Sequence, residues 1–167
     1  IGFQELIELT SHSVAQDEAK SKIAKTNLVR DHICKFWARS LENTLNCGSA
    51  DYSLLKDIRL AGVYLAVFVK SYLRSRIFQV RADISKAGVL GKLGNKGGVA
   101  IRFSIFNSSN SLCFVNSHLA AGKAHVDKRN ADYFNIISSL SFQLDKQKYS
   151  VLDHKKIFWL GDLNYRV

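Results

Sequence analysis

A chain of 167 residues, 47% of them hydrophobic, is long enough to bury a core as one domain. Its three cysteines lack the spacing of a zinc site or a disulfide framework, which argues against a cysteine-stabilised scaffold and favours a reducing compartment. No stretch approaches the roughly 18 uncharged apolar residues of a membrane-spanning helix, so the sequence predicts none.

The positive charge is concentrated in one part of the chain. The net charge is +10, from 24 Lys and Arg against 14 Asp and Glu. Residues 1–50 carry six side chains of each sign, so the surplus falls entirely in residues 51–167. A local surplus of this kind predicts an anionic partner: nucleic acid, an acidic membrane surface or a phosphorylated substrate. A solvated lysine-rich surface is the alternative.

The first third of the chain predicts a strand and a long helix. Residues 2–6 read as a short strand that runs into a polar end at Glu5. Apolar residues then recur at three- and four-residue steps from Thr26 to Asn46, which predicts an amphipathic helix with Trp37 in the core. Gly48 is the expected C-terminal cap of that helix.

Strand patterns follow. The runs Tyr52–Leu60 and Ala61–Lys70 predict two strands, and the alternation over Ile77–Ile84 predicts a third that is half-buried, with Phe78 facing inward. In the connection before it, Tyr72 and Leu73 lie among cations. Apolar side chains ringed by cations suit a membrane surface. The alternative is a loop whose leucine packs under the domain.

A glycine-rich segment, residues 88–98, holds five of the ten glycines. Such density lets backbone amides approach a ligand closely, and Lys96 adds positive charge, so the segment predicts a phosphate-facing loop. It is not a P-loop, because Gly-x-x-x-x-Gly-Lys-Ser/Thr is absent. A hairpin turn is the alternative. The alternating run Val99–Phe106 predicts the next strand.

Two apolar runs end in paired polar residues. Leu112–Val115 leads to Asn116 and His118, and Ile157–Leu160 leads to two residues at the same spacing, Asp162 and Asn164. Residues i and i+2 of a strand share a face, and both runs read as strands buried on both faces. We therefore expect inner strands of one sheet, with His118 close to Asp162. An ordinary turn at 161–164 is the alternative.

Between these two strands the pattern returns to helical spacing. Apolar residues from Val126 to Phe142 predict a helix, and Arg129 is expected on its solvent side.

Five motifs occur in one order along the chain: Gly2-Phe-Gln-Glu5, Gly94-Asn-Lys-Gly-Gly-Val99, Asn116-Ser-His-Leu-Ala-Ala121, Arg129-Asn-x-Asp-Tyr133 and Trp159-Leu-Gly-Asp-Leu-Asn-Tyr-Arg166. The ordered set resembles the catalytic domain of inositol polyphosphate 5-phosphatases. Ala120-Ala121-Gly122 is most similar to the synaptojanin branch. The resemblance covers nearly the whole chain, so residues 1–167 are expected to be the N-terminal and central part of such a domain, incomplete at both ends.

The resemblance implies an α/β (α+β) fold of the DNase I-like endonuclease-exonuclease-phosphatase class, a four-layer αββα sandwich. It also implies Mg²⁺-dependent hydrolysis of the 5-phosphate of phosphoinositides, such as phosphatidylinositol 4,5-bisphosphate, or of soluble inositol polyphosphates. The expected partners are that substrate and an anionic membrane surface, without nucleic acid, and the expected location is cytoplasmic and peripheral at membranes.

The resemblance also assigns roles by position. Glu5 corresponds to the metal-binding glutamate, Asp162 to the aspartate that polarises the attacking water, and His118 to a residue that contacts the scissile phosphate. Further positions are Asn164 beside the catalytic aspartate, the substrate contacts Lys96, Asn116 and Arg166, and the membrane loops Ser71–Arg76, which holds Tyr72 and Leu73, and Ala121–His125.

Motifs that end the family domain do not occur here, including those with a second catalytic aspartate and the histidine that completes the phosphate site. We therefore expect the parent protein to be the enzyme and this segment alone to be inactive. Two other functions fit parts of the pattern. One is a nuclease of the same fold, which the charge of +10 would suit. The other is a non-catalytic phosphoinositide-binding module.

Overall fold

The computed structural model describes residues 1–6, 16–86 and 96–165, and within the first helix the side chains from residue 31 onward. In chain order the elements are β1 (Gly2–Phe3), α1 (Gln16–Leu45), β2 (Tyr52–Leu60), β3 (Val63–Lys70), a 3₁₀ helix (Ser71–Arg76), β4 (Ile77–Lys86), β5 (Gly97–Ile105), β6 (Ser111–His118), α2 (Val126–Ser139), β7 (Ser141–Leu144), β8 (Gln147–Ser150), a second 3₁₀ helix (Val151–Asp153) and β9 (Lys156–Asp162). Neither described α-helix is long and apolar enough to cross a membrane.

The strands form two main sheets and a hairpin. The three-stranded sheet has the order β1-β3-β2, and the four-stranded sheet has the order β4-β5-β6-β9. All neighbours are antiparallel except β6 and β9, which run parallel. The register pairs Gly97 with His118 and His118 with Asp162. These pairs lie at one end of the strands, and we call that boundary of the four-stranded sheet the site edge. The boundary at the opposite end of the strands, where Ser104 pairs with Ser111, is the far edge.

Three apolar clusters define four layers. The clusters lie between α1 and the three-stranded sheet, between the two sheets, and between the four-stranded sheet and α2. Alternation along β3 explains the middle layers, because Leu65 and Val67 face the other sheet while Tyr64 and Ala66 face α1. The predicted αββα sandwich is confirmed.

One strand prediction is wrong in part. β6 is an inner strand, but β9 has no neighbour on its other side within the described part of the chain. Ile157 and Phe158 are therefore 38% and 46% exposed rather than buried on both faces. The apolar run reported a strand correctly, but periodicity does not say which strand will lie beside it.

Four local predictions also differ from the structure. α2 ends at Ser139, and Phe142 lies in β7, because Ser141 N–H turns away to the Asp83 carboxylate. A register shift between 78 and 81 leaves Phe78 37% exposed, since a bulge reverses the faces. Trp37 is 38% exposed and packs against Phe3. α1 begins ten residues before the predicted start.

Candidate active site

The sheet register brings residues from four segments to the site edge. His118 ends β6 and lies directly opposite Asp162, which ends the parallel strand β9. Lys96 immediately precedes β5, whose first residue pairs with His118 on its other side. Glu5 follows β1 in a left-handed conformation, with φ of 53°. The predicted proximity of His118 and Asp162 is thus observed, and Glu5 and Lys96 join them.

These four side chains form a charged cluster around one imidazole nitrogen. His118 Nε2 lies 3.4 Å from Asp162 Oδ2 and 4.0 Å from Glu5 Oε1, and it contacts Lys96 Nζ. The imidazole is 2% exposed, whereas the Asp162 and Glu5 side chains are 48% and 70% exposed. The histidine therefore lies at the buried base of the cluster, and the two carboxylates lie on its solvent-exposed side.

Burial lowers the pKa values of the two basic groups in the cluster. Partial burial lowers the pKa of the Lys96 ammonium, and the carboxylates of Glu5 and Asp162 oppose this shift. Burial, and then the positive charge of Lys96, lowers the pKa of His118, against the same two carboxylates. Because its pKa lies below the ordinary 6.5, His118 is uncharged at neutral pH.

Backbone geometry fixes the orientation of Asp162. Gly161 has a φ of 129°, and a Cβ atom there would lie 2.0 Å from the carbonyl oxygen of Ser117 on β6. Only glycine permits this close pairing. Asp162 Oδ1 accepts the backbone N–H of Asn164 at 3.0 Å, and the Asn164 carboxamide donates to the Leu119 carbonyl at 3.1 Å. Asn164 thus holds Asp162 and the end of β6 together.

Asn116 lies behind the cluster. It is fully buried, and its Nδ2 donates to the carbonyls of Phe3 at 3.1 Å and Tyr64 at 2.8 Å. Its Oδ1 accepts Gln4 Nε2 at 2.6 Å. Both N–H donors are used within the protein, so the contacts indicate a positioning role, in contrast to the substrate contact that the sequence suggested. The residue joins the two sheets just below Glu5.

Two residues of α2 support the site and were not predicted to do so. Arg129, expected in solvent, is 1% exposed and donates to the carbonyl of Gly122 at 2.6 Å. Asp132 accepts the backbone N–H of Ala120 at 2.9 Å. Together they fix the loop that follows β6. Their i, i+3 spacing on one helix face was a signal available in the sequence, hidden by the usual exposure of charged residues.

Comparison with known proteins identifies the family. The family model described as endonuclease/exonuclease/phosphatase family 2 matches residues 1–167. The chain belongs to this family. It is 36% identical to human synaptojanin-2 over 167 residues, which is all of this chain and 10% of the relative. It is 41% identical to the mouse type II inositol 1,4,5-trisphosphate 5-phosphatase over 134 residues, 78% of this chain and 13% of the relative.

A solved structure agrees with both the family and the fold. The inositol polyphosphate 5-phosphatase domain of a synaptojanin, crystallised with inositol (1,4)-bisphosphate and a calcium ion, superposes with a TM-score of 0.73 at 34% identity. The match covers 99% of this chain and 43% of that domain structure. The resemblance to inositol polyphosphate 5-phosphatases is thus confirmed, and the chain spans less than half of the solved domain and a small part of the full-length relatives.

Some of the predicted residues are not part of the described cluster. Arg166 and most of the glycine-rich segment, residues 88–95, fall outside the described residues. Tyr72 and Leu73 lie in the 3₁₀ helix before Ile77, which pairs with Ile105 at the far edge. Leu73 is half-buried, as the alternative required, although Tyr72 is 71% exposed. The membrane contact of these two residues stays a prediction.

The donor set of the cluster fits a hard divalent cation. Glu5 and Asp162 offer exposed carboxylate oxygens and together carry one more negative charge than Lys96 neutralises. Among the described residues, no three His, Cys, Asp or Glu side chains form a closed metal cage. Mg²⁺ usually binds one or two carboxylates and completes its octahedron with water and phosphate oxygens. An open pair of carboxylates suits this mode of binding.

Proposed function

We propose that this chain is part of a catalytic domain that hydrolyses the 5-phosphate of phosphoinositides or soluble inositol polyphosphates. The observation that carries the proposal is the cluster at the site edge, where Lys96 and His118 face the carboxylates of Asp162 and Glu5. The names of the similar proteins support the same chemistry, because one is an inositol trisphosphate 5-phosphatase and the solved neighbour is an inositol polyphosphate 5-phosphatase domain.

Lys96 and His118 suit a phosphoryl group. An ammonium provides a point charge for non-bridging oxygens, and the imidazole can donate one directed hydrogen bond in the tautomer that carries its proton on Nε2. His118 is fixed by burial, so it requires little reorganisation when charge builds on the phosphoryl oxygens in the transition state. Both side chains would therefore contact the phosphoryl group that is transferred and not the rest of the substrate.

Asp162 is placed to orient the attacking water. Its Oδ1 is held by the N–H of Asn164, which leaves Oδ2 directed toward the phosphate position near His118. In the proposed step the water oxygen forms a bond to phosphorus and the bond from phosphorus to the inositol oxygen breaks. Asp162 accepts the proton of the water, and solvent protonates the leaving inositol oxygen.

Mg²⁺ is part of the proposal, with Glu5 as its protein ligand beside Asp162. When bound, it would neutralise charge on the phosphoryl oxygens. The basic surplus and the exposed loop Ala121–His125, which follows β6 at the site edge, suit a substrate presented at an anionic membrane. We accordingly propose a cytoplasmic protein that acts peripherally at such membranes.

The proposal is tested with the full-length protein that contains this chain. Phosphate release from phosphatidylinositol 4,5-bisphosphate and soluble inositol 1,4,5-trisphosphate is compared with release from phosphatidylinositol 4-phosphate and with nicking of plasmid DNA. Release only from the two 5-phosphorylated compounds is expected. DNA nicking without phosphate release would replace the proposal with a nuclease. Lipid binding without turnover would replace it with a binding module.

The metal assignment has its own test. Glu5→Gln removes one anionic oxygen while keeping the side-chain shape, so the Mg²⁺ concentration for half-maximal rate should rise about tenfold. Activity at saturating Mg²⁺ should recover substantially. Glu42→Gln, a change on α1 away from the cluster, serves as the control. An unchanged Mg²⁺ dependence in Glu5→Gln would remove Glu5 from the metal site.

A further inference from the structure

A second polar cavity lies at the far edge, away from the candidate active site. Its volume is about 360 Å³, and it is lined from the four-stranded sheet by Arg102 and Ser111 and from the hairpin by Leu144 and Tyr149. The site edge and the far edge are about 23 Å apart at the usual rise of a strand. The cavity is therefore separate from the cluster around His118.

A buried arginine forms the floor of this cavity. Arg102 is 2% exposed, and its Nε donates to His154 Nε2 at 3.0 Å. Its Nη1 donates to the Gln79 carbonyl at 2.9 Å, and Nη2 donates to Ser104 Oγ at 3.3 Å. All of these partners are neutral. Within the described residues no carboxylate pairs with this guanidinium.

A buried charge without a counter-charge is costly. The hydrogen bonds of Arg102 satisfy most of its donors but leave its positive charge unbalanced, and one Nη2 hydrogen has no partner among the described residues. The neutral partner His154 cannot balance the charge either, because its Nε2 lone pair is the acceptor. An anion in the cavity would supply what the protein does not.

The other lining groups reinforce the positive character. Lys155 lines the cavity and is exposed, and three serines at 108, 109 and 111 add hydroxyl donors. Asp153 is the one acidic side chain in the described lining. One of its two oxygens, Oδ2, accepts hydrogen bonds from the backbone N–H and the hydroxyl of Ser150, at 2.7 and 2.8 Å. The lining thus contains two cations, Arg102 and Lys155, and one carboxylate, Asp153, which caps the 3₁₀ helix Val151–Asp153 through Ser150.

We propose that this cavity binds a phosphate group, either inorganic phosphate or a phosphate monoester, between Arg102 and Lys155. A phosphate offers several acceptor oxygens, which match a guanidinium, an ammonium and serine hydroxyls together. The volume falls in the range of small-molecule sites, about 300–1,000 Å³, so an inositol phosphate is also accommodated. The inference stands on the cavity alone and does not depend on the proposed hydrolysis.

Hydrogen–deuterium exchange of the full-length protein tests the site by location. Inorganic phosphate is titrated at constant ionic strength, with sodium chloride as the balancing salt, and peptides covering 104–111 and 147–156 are followed separately from peptides covering 118–125. Saturable protection of the first two is expected. Inositol 1,4-bisphosphate, and vesicles of phosphatidylcholine with 5% phosphatidylinositol 4,5-bisphosphate, then distinguish a soluble source from a lipid headgroup.

Matched variants complete the test. Lys155→Gln should raise the phosphate concentration for half-maximal protection of the far-edge peptides about five- to tenfold, since one charged contact is lost. Lys156→Gln, its exposed neighbour that does not line the cavity, should leave it unchanged. Both positions are exposed, so folding is not at risk. The proposal is overturned if none of the three probes protects these peptides, if chloride protects them equally, or if both variants respond alike.

Discussion

The two edges of the four-stranded sheet use charge in opposite ways. At the site edge, the carboxylates of Asp162 and Glu5 are exposed and face Lys96 around a neutral histidine. At the far edge, Arg102 is buried among neutral partners without a carboxylate. Exposed charges of opposite sign can rearrange around a substrate at little cost to stability, whereas a buried charge without a counter-charge is held in place by the packing around it. Function and stability should therefore respond to different residues.

The largest effect is expected from Asp162→Asn in the full-length protein. The variant keeps the side-chain shape but removes the group that orients water, so kcat should fall about 10²–10⁴-fold with little change in KM. Because the side chain is half-exposed, the melting temperature should hardly change. Asp127→Asn, an exposed aspartate in the first turn of α2, is the control. Near-normal kcat in Asp162→Asn would refute its assigned role.

Gly161→Ala should disturb both properties of the site edge at once. The added Cβ would lie 2.0 Å from the Ser117 carbonyl oxygen, and φ is 129°, so β9 must separate from β6 there. We expect a loss of about 2–3 kcal/mol in the free energy of unfolding. Gly48→Ala is the matched control, since its φ is 97° but nothing lies within 4 Å of the added atom. Equal losses in denaturant unfolding would show that the contact with β6 does not matter.

Arg102→Met should reduce stability and leave turnover nearly unchanged. It leaves the acceptors on His154 and Gln79 unsatisfied, which should reduce the free energy of unfolding by about 2 kcal/mol. Turnover of a soluble inositol phosphate should stay within about twofold of the parent. Arg81→Met removes an exposed arginine from the neighbouring strand and should have little effect on either quantity. A loss of kcat in Arg102→Met comparable to that of Asp162→Asn would mean that the two edges are coupled.

The smallest effect concerns pH. Burial, followed by the charge of Arg102, lowers the pKa of His154 below its ordinary 6.5, although its bond to the Val151 carbonyl opposes this. Below about pH 6.5 His154 binds a proton more readily in the unfolded chain than in the folded protein, so stability falls as the pH decreases.

Between pH 7 and pH 5.5 this linkage should lower the free energy of unfolding for each such histidine. His118 shifts in the same direction. His154→Gln, measured by urea unfolding at both pH values, should therefore reduce the dependence without abolishing it. A pH dependence identical to that of the parent protein would show that His154 is not a source of it.

Local patterns predicted much of this architecture. The strands 52–60 and 63–70 and the strand ends at His118 and Asp162 follow from apolar runs with polar residues after them. Such runs record burial directly, and the parallel register then brings equivalent ends together. The motif order supplied the family, and with it the two-sheet arrangement.

The errors share a different cause, which is dependence on distant parts of the chain. β9 has the composition of an inner strand, but its position in the sheet depends on neighbours that the pattern does not contain. Arg129 has the composition of a surface residue, but its guanidinium is buried because three loop carbonyls accept from it.

The parallel pairing of β6 with β9 also sets an order of events in folding. A parallel neighbour requires a crossover, and here the crossover contains α2 and the β7–β8 hairpin. Antiparallel β4, β5 and β6 can pair through shorter connections, so that part of the sheet can form as soon as it is synthesised. His118 and Asp162 can come together only after the crossover has closed. During synthesis the cluster around His118 can therefore assemble only after α2 and the β7–β8 hairpin have been made, later than the antiparallel part of the same sheet.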